Sequence, residues 1–343
     1  MLESQTLMFR EAAEAPTVIA EQFAANAGAI AAVCERLKAR KPRAAITLAR
    51  GSSDNAATFA KYLIETRLGI MTSSAAPSIS SIYNGAKADL QDTVLIATSQ
   101  SGQSPDIVTA LEAAKEAGAF TIAFVNVMDS PLAKQADVAF ALHAGAERSV
   151  AATKSYLATV AGIAQLVAAW SDDAALTTAL KTLPELLAKA WQLDWSKAVE
   201  RLVKARDLYV IGRGVGFGGA QEAALKLKET CGLHAEAFSA AEVRHGPMAL
   251  AQKGFPALIL SQNDETRPGM HELVEALAAS GADILLAGFE DPRAINLPSL
   301  EVHPALQPIL FLQSFYRMAE QLSRARGMNP DNPPHLRKVT ETI

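Results

Sequence analysis

The 343-residue sequence lacks most features of secreted, metal-binding and nucleic-acid-binding proteins. Cys34 and Cys231 are the only cysteines, and their separation does not match metal-type spacing, so a reducing compartment is expected. The six histidines show neither His-x-x-x-His nor His-Glu-x-x-His spacing, so the sequence predicts no metal and no other cofactor. A formal net charge of -4 argues against nucleic acid as a partner, because a phosphate backbone requires a basic surface.

Signals for export or membrane insertion are also missing. The N-terminus, MLESQTLMFREAAEAP, carries acidic residues where a signal peptide needs a basic segment followed by an apolar one. We find no run of about 18 uninterrupted apolar residues, so no membrane span is predicted. The expected location is the cytoplasm.

Short apolar runs alternate with helical patterns, and the alternation occurs twice. The separation from Gly51 to Ser99 is 48 residues, and that from Gly212 to Ser261 is 49. The predicted fold class is therefore α/β, with two tandem copies that each form a parallel β-sheet flanked by helices. The predicted segments are a helical lead-in over 1–37, a first domain over 38–170, a helical link over 171–196, a second domain over 197–325 and a C-terminal tail over 326–343.

Hydroxyl groups are concentrated in the strand-to-helix turns of the first copy. They belong to Ser52, Ser53, Ser99, Ser101 and Ser104. Each could be an ordinary helix cap. Several of them on adjacent strand ends favour a phosphate cradle, since hydroxyls and backbone N–H groups at helix N-termini bind phosphate without a metal.

The corresponding turn of the second copy reads GRGVGFGG. Its glycine spacing only approximates the dinucleotide-binding pattern. That pattern also requires an acidic residue at the end of a strand about 20 positions later, and none is predicted there. We therefore expect the chemistry of this copy to come from the helix that follows.

That helix carries ionisable residues in an alanine-rich run. Glu222, Lys226 and Glu229 share one helical face, and His245 follows in the turn sequence RHGPM. Each residue alone could belong to a solvated surface. Together they are a candidate acid/base set for proton transfer.

Motifs along nearly the whole chain resemble those of the sugar isomerase (SIS) domain family. They are MFREAAEAPTVI, GSSDNA, TSQSGQS, VAATKS, EAALKLKE, HAEAF, EVRHGPMAL and HLRKVTE. Within the family, the chain most resembles the isomerase half of glucosamine-6-phosphate synthases. The last three motifs are the specific ones.

This resemblance implies roles for individual residues. Glu229 would move a proton between C1 and C2 of an open-chain sugar, His245 would open the sugar ring from the neighbouring subunit of a homodimer, and Lys338 would close over the substrate and form a Schiff base with a ketose. The implied substrate-binding residues are Ser52, Ser53, Ser99, Gln100, Ser101, Ser104, Val150, Ala152, Glu222 and Lys226.

Two positions depart from the synthase pattern. Ala152 replaces a serine, and Arg337 replaces a small residue beside the tail lysine. No glutaminase half precedes residue 1, so we expect a stand-alone enzyme that converts glucosamine 6-phosphate to fructose 6-phosphate and ammonia. A fructosamine-phosphate deglycase, an ammonia-dependent synthase and a non-catalytic sugar-phosphate-binding regulator are the alternatives.

Overall fold

The computed structural model describes residues 5–83 and 89–338, which form two compact units. The first unit comprises Thr17–Glu147, Lys154–Lys181 and the chain from Arg337 onward. The second unit comprises the chain up to Pro16 together with Arg148–Thr153 and Thr182–Leu336. The predicted domain boundaries at 37/38, 170/171, 196/197 and 325/326 stay predictions.

The first unit is built around a five-stranded parallel sheet. Its strands are β1 (Ala44–Leu48), β2 (Thr72–Ser74), β3 (Thr93–Ser99), β4 (Phe120–Val125) and β5 (Val138–Ala141). They lie in the order β2-β1-β3-β4-β5. The helices are α2 (Ala15–Arg40), α3 (Ser52–Leu68), α4 (Ser78–Ser81), α5 (Pro105–Glu116), α6 (Pro131–Gln135), α7 (Lys154–Trp170) and the start of α8 (Ala174–Ala190).

The second unit has a five-stranded parallel sheet of its own. Its strands are β6 (Asp207–Gly212), β7 (His234–Ser239), β8 (Pro256–Leu260), β9 (Asp283–Ala287) and β10 (Ile295–Leu297), in the order β10-β9-β8-β6-β7. Its helices are α1 (Leu7–Ala13), α9 (Ser196–Leu202), α10 (Phe217–Cys231), α11 (Ala240–Val243), α12 (Arg267–Ala279) and α13 (Gln307–Ala325).

The two sheets have the same topology, which confirms the predicted α/β fold with two parallel sheets. In each unit, the first strand along the chain pairs with the second on one side and the third on the other. β3 and β4 are apolar and almost entirely buried, as expected for parallel strands covered on both faces. Ligand-binding turns in such sheets lie at the carboxyl ends of the strands.

Two local features of the fold decide where functional side chains lie. α3 begins at Ser52, directly after Gly51, because Gly51 adopts a positive φ of 58° and closes the turn. The segment between α10 and His245 contains β7, a strand that the sequence does not predict. Glu236 lies in the middle of β7, opposite Tyr209, so no acidic residue ends this strand, as expected.

α2 is long and apolar enough to cross a membrane by length and composition alone, which by itself is weak evidence for a membrane span. The same test is passed by core helices of water-soluble proteins. Gln22 of α2 is buried and donates to the carbonyl of Ala158 at 3.0 Å, and Asn26 donates to the carbonyl of Ala141 at 2.8 Å. These polar contacts within the first unit favour the core-helix interpretation.

Candidate active site

Two serine-containing turns of the first unit lie side by side. Strands β1 and β3 are neighbours, with Leu48 opposite Ala97, so the turns that follow them leave the same edge of the sheet. The Thr98 hydroxyl donates to the carbonyl of Ser53 at 3.0 Å and joins the two turns. Ser52 and Ser53 open α3, where the Gly51 cap leaves backbone N–H groups without a side-chain acceptor.

The turn after β3 is shaped by its own hydroxyls. Ser99 Oγ accepts from the backbone N–H of Gly102 at 3.0 Å, and Ser101 Oγ accepts from that of Gln103 at 3.3 Å. Both hydroxyls therefore keep an O–H to donate outward. Ser104 is the N-cap of α5 but makes no capping bond with its side chain. The predicted phosphate cradle thus has hydroxyl donors and a helix N-terminus at one sheet edge.

An arginine that the sequence analysis did not single out borders these turns. Arg50 donates from Nε to Asp106 Oδ2 at 3.0 Å, and its Nη2 lies 2.9 Å from the same oxygen. The Asp106 side chain is buried, whereas that of Arg50 is half exposed. The pair fixes a guanidinium beside the β1–α3 turn.

Three predicted residues of the second unit form a charged row on α10. The Lys226 ammonium is 1% exposed and forms ion pairs with Glu222, at 3.7 Å, and with Glu229. The Glu222 side chain is fully buried, but that of Glu229 is 21% exposed. Of the two carboxylates, only Glu229 can therefore meet a ligand from solvent.

Glu222 has a further partner that the sequence did not reveal. The hydroxyl of Tyr316 on α13 donates to Glu222 Oε1 at 3.2 Å. The row runs from Tyr316 through Glu222 and Lys226 to Glu229. It fixes the Lys226 ammonium, which in turn pairs with the carboxylate of Glu229.

His245 lies on an exposed turn beyond α11, next to Gly246 with a φ of 136°. Its backbone N–H donates to the carbonyl of Glu242 at 2.9 Å. In the part of the chain that the structure describes, no hydrogen bond or ion pair joins the His245 imidazole to the charged row of α10. The cross-subunit role implied for His245 stays a prediction.

The predicted backbone-binding residues Val150 and Ala152 lie in a loop of the second unit that is anchored from α1. Glu11 Oε1 accepts from the N–H of Arg148 at 2.5 Å, and Oε2 accepts from that of Ser149 at 3.1 Å. The N–H of Val150 donates to the carbonyl of Asp331 at 3.3 Å. The backbone of this loop is therefore fixed by the Glu11 side chain and by a backbone carbonyl distant in the sequence, rather than by a sheet.

Lys338 contacts a buried carboxylate of the first unit. Its Nζ donates to Glu147 Oε2 at 3.2 Å, and the Glu147 side chain is fully buried. The remainder of the HLRKVTE motif, 339–341, falls outside the described residues. Glu147 belongs to none of the motifs identified in the sequence. Only the folded structure shows that it lies near Lys338.

The structure brings the predicted residues together in two groups. Ser52, Ser53 and the turn Ser99–Ser104, including Gln100, share one sheet edge in the first unit, and Glu222, Lys226 and Glu229 share one helix face in the second. Within residues 5–83 and 89–338, no group of three or more His, Cys, Asp or Glu side chains is arranged to hold a metal ion.

A family model for the SIS domain matches residues 38–169 and 201–297. The chain is 32% identical over 346 residues to a glutamine–fructose-6-phosphate aminotransferase (isomerizing) of Thermococcus kodakarensis, covering 96% of the chain and 57% of that relative. The chain thus spans little more than half the length of this curated relative.

Two solved structures share the fold. One is a proposed phosphosugar isomerase of Silicibacter pomeroyi, with 38% identity, a TM-score of 0.91, and coverage of 95% of this chain and 100% of the other. The second is the C-terminal domain of a glucosamine-fructose-6-phosphate aminotransferase from Francisella tularensis, with 24% identity, a TM-score of 0.84, and coverage of 96% and 99%. The motifs, the duplicated sheets and the family match agree, and the chain belongs to the SIS domain family.

Proposed function

We propose that this protein is a phosphosugar isomerase of the SIS type, and that its preferred reaction converts glucosamine 6-phosphate and water to fructose 6-phosphate and ammonia. The observation that carries the proposal is the row on α10. It buries one carboxylate, Glu222, and one ammonium, Lys226, and leaves the second carboxylate, Glu229, accessible. The relatives, which are named as phosphosugar enzymes, support the coarser activity.

In this reaction the serine turns of the first unit bind the phosphate. Hydroxyl and backbone N–H donors, with the half-exposed Arg50 beside them, suit a phosphate monoester in a chain whose net charge is negative. The backbone at Val150 and Ala152 contacts sugar hydroxyls. This arrangement fixes the end of the substrate that does not react.

Glu229 then moves one proton. It removes the proton from C2 of the open-chain sugar and returns it to C1, while a second proton passes from the amine nitrogen to O1, so that the C1 aldehyde becomes a hydroxymethyl group and the C2 amine becomes an imine. The imine is then replaced by a carbonyl as water enters and ammonia leaves. A single carboxylate that can alternate between base and acid is sufficient for the proton shift.

The proposal also assigns roles to His245 and Lys338 and a cellular location. His245, on its exposed turn, opens the sugar ring in the site of a second subunit, which makes a homodimer the functional unit. Lys338 forms a Schiff base with the ketose. The protein acts in the cytoplasm.

The test is ammonia release from glucosamine 6-phosphate by the wild type and by Glu229→Gln. Removing a positioned base is expected to lower the rate about 10²- to 10⁴-fold. Glu236→Gln is the matched control, because it neutralises an exposed carboxylate on β7 of the same unit and should leave the rate unchanged. Release from a fructosamine 6-phosphate, with none from glucosamine 6-phosphate, would assign the protein as a deglycase instead.

A further inference from the structure

The buried carboxylate of Glu147 has no part in the steps above. Its side chain is fully buried, and the Lys338 ammonium, 24% exposed, lies 3.2 Å from Oε2. A carboxylate buried without partners is strongly unfavourable, so the side chains and N–H groups around it must hold its charge.

Two further bonds to Glu147 come from one residue in the first turn of α7. The backbone N–H of Ser155 donates to Oε1 at 3.2 Å, and the Ser155 hydroxyl donates to Oε2 at 2.5 Å. The N-terminus of a 17-residue helix also favours a negative charge at this position. Glu147 is thus held as a carboxylate by a rigid element, and its oxygens define where the amine of Lys338 lies.

We propose that Glu147 is the proton acceptor and positioning residue for Lys338 when that lysine attacks the ketose carbonyl. A lysine attacks a carbonyl only as a neutral amine, whereas in the ion pair with Glu147 it is an ammonium. When Glu147 accepts one proton from Lys338, the ion pair becomes a neutral amine, which is the nucleophile, and a carboxylic acid.

All the protons in this step are exchanged among Glu147, Lys338 and the sugar. Glu147 takes one proton from the Lys338 ammonium, and the amine nitrogen then bonds to C2 while the carbonyl oxygen becomes a hydroxyl with a proton from nitrogen. Glu147 returns its proton to that hydroxyl, which leaves as water, and a protonated Schiff base remains. Glu147 ends the cycle as a carboxylate.

The inference rests on the amine role of Lys338 in the proposed function. It is tested by trapping the Schiff base with borohydride in the presence of fructose 6-phosphate and measuring the Lys338 adduct by mass spectrometry across pH. At pH 7, Glu147→Gln should trap about 100-fold more slowly than the wild type. Its rate should approach that of the wild type as the pH rises, because the solvent then removes the proton.

Two variants separate proton transfer from a structural effect. Glu147→Asp retains a carboxylate and should recover part of the rate at pH 7. Ser155→Ala removes a buried partner of Glu147, so it should lower the melting temperature but keep the pH profile of the wild type. If Glu147→Gln traps with the rate and pH profile of the wild type, or if Ser155→Ala shifts the profile as much, the proposal is overturned.

The experiments distinguish failure of the proposed function from failure of the role proposed for Glu147. If the wild type releases no ammonia from glucosamine 6-phosphate but still traps fructose 6-phosphate in a Glu147-dependent manner, the substrate assignment fails and the role of Glu147 stands. If the wild type releases ammonia and forms no Lys338 adduct at any pH, the role of Glu147 is overturned and the deaminase assignment stands.

Discussion

The turns after β3 and β8 occupy the same place in two units of the same topology and begin with the same dipeptide, Ser-Gln. After β3, the serine hydroxyls accept from backbone N–H groups and keep their own O–H donors. After β8, side chains of the second unit form hydrogen bonds within the corresponding turn. The two turns therefore differ in the donors that they leave available, although the fold is duplicated.

The side chains of Gln262 and Gln307 hold the turn after β8 through hydrogen bonds. Gln262 Nε2 donates to the carbonyl of Arg213 and to Asp264 Oδ2, both at 2.8 Å, and Gln307 Oε1 accepts from the N–H of Asn263 at 2.6 Å. Side-chain oxygens of Gln307 and Asp264 thus already accept from donors of this turn. The second unit contributes the charged row of α10 instead.

The largest expected effect concerns that charged row. Lys226→Met leaves Glu222 buried without its counter-charge, which should lower the free energy of unfolding by about 3–5 kcal/mol. Urea denaturation measures the change, and Lys228→Met on the exposed side of α10 is the control. Equal midpoints for the two variants would show that the buried pair does not stabilise the second unit.

The next effect tests the difference between the two turns. Ser99→Ala combined with Ser101→Ala removes two donors to a charged phosphate, each worth at least about 1.5 kcal/mol, so KM for the phosphosugar should rise about 100-fold. Ser261→Ala changes the matching serine of the second unit and should leave KM unchanged. A similar rise in both variants would contradict the division between the units.

A smaller effect is expected from the backbone of the first turn. Gly102 has a φ of 64°, and a Cβ there would lie 2.2 Å from Ser130 Oγ, whereas Gly69, with a φ of 67°, has no such neighbour. Both alanine variants incur the left-handed backbone penalty of about 1–2 kcal/mol, and Gly102→Ala incurs a clash in addition. The melting temperature of Gly102→Ala should therefore fall further, with a rise in KM that Gly69→Ala does not show.

The smallest effect uses the one cysteine in each unit. Burial raises the pKa of Cys34 in the first unit and of Cys231 in the second to about 11. Because the folded pKa lies above the ordinary thiol value of about 8.5, this stabilisation is complete below that value and is lost as the pH rises through about 11. At pH 8, iodoacetamide should label both thiols only after unfolding, and unequal rates in urea would measure the stability of each unit separately.

The sequence by itself determined the repeat and the set of candidate reactive side chains. Strands such as β8 and β9 can be recognised in the sequence, since a buried parallel strand is a nearly continuous apolar segment. The sequence does not predict the strand β7, because its residues, HAEAFS, include an exposed His234 and an exposed Glu236 and form no continuous apolar run. Glu222, Lys226 and Glu229 were grouped correctly because helical spacing alone places them on one face.

Only the tertiary structure decided which of these groups are buried and what they contact. Glu222 and Glu229 are equivalent by spacing, but packing against Tyr316 of α13 buries the first and leaves the second accessible. The pairing of Glu147 with Lys338 joins residues 191 positions apart. No local pattern encodes such a contact, because it depends on where the whole chain places two distant segments.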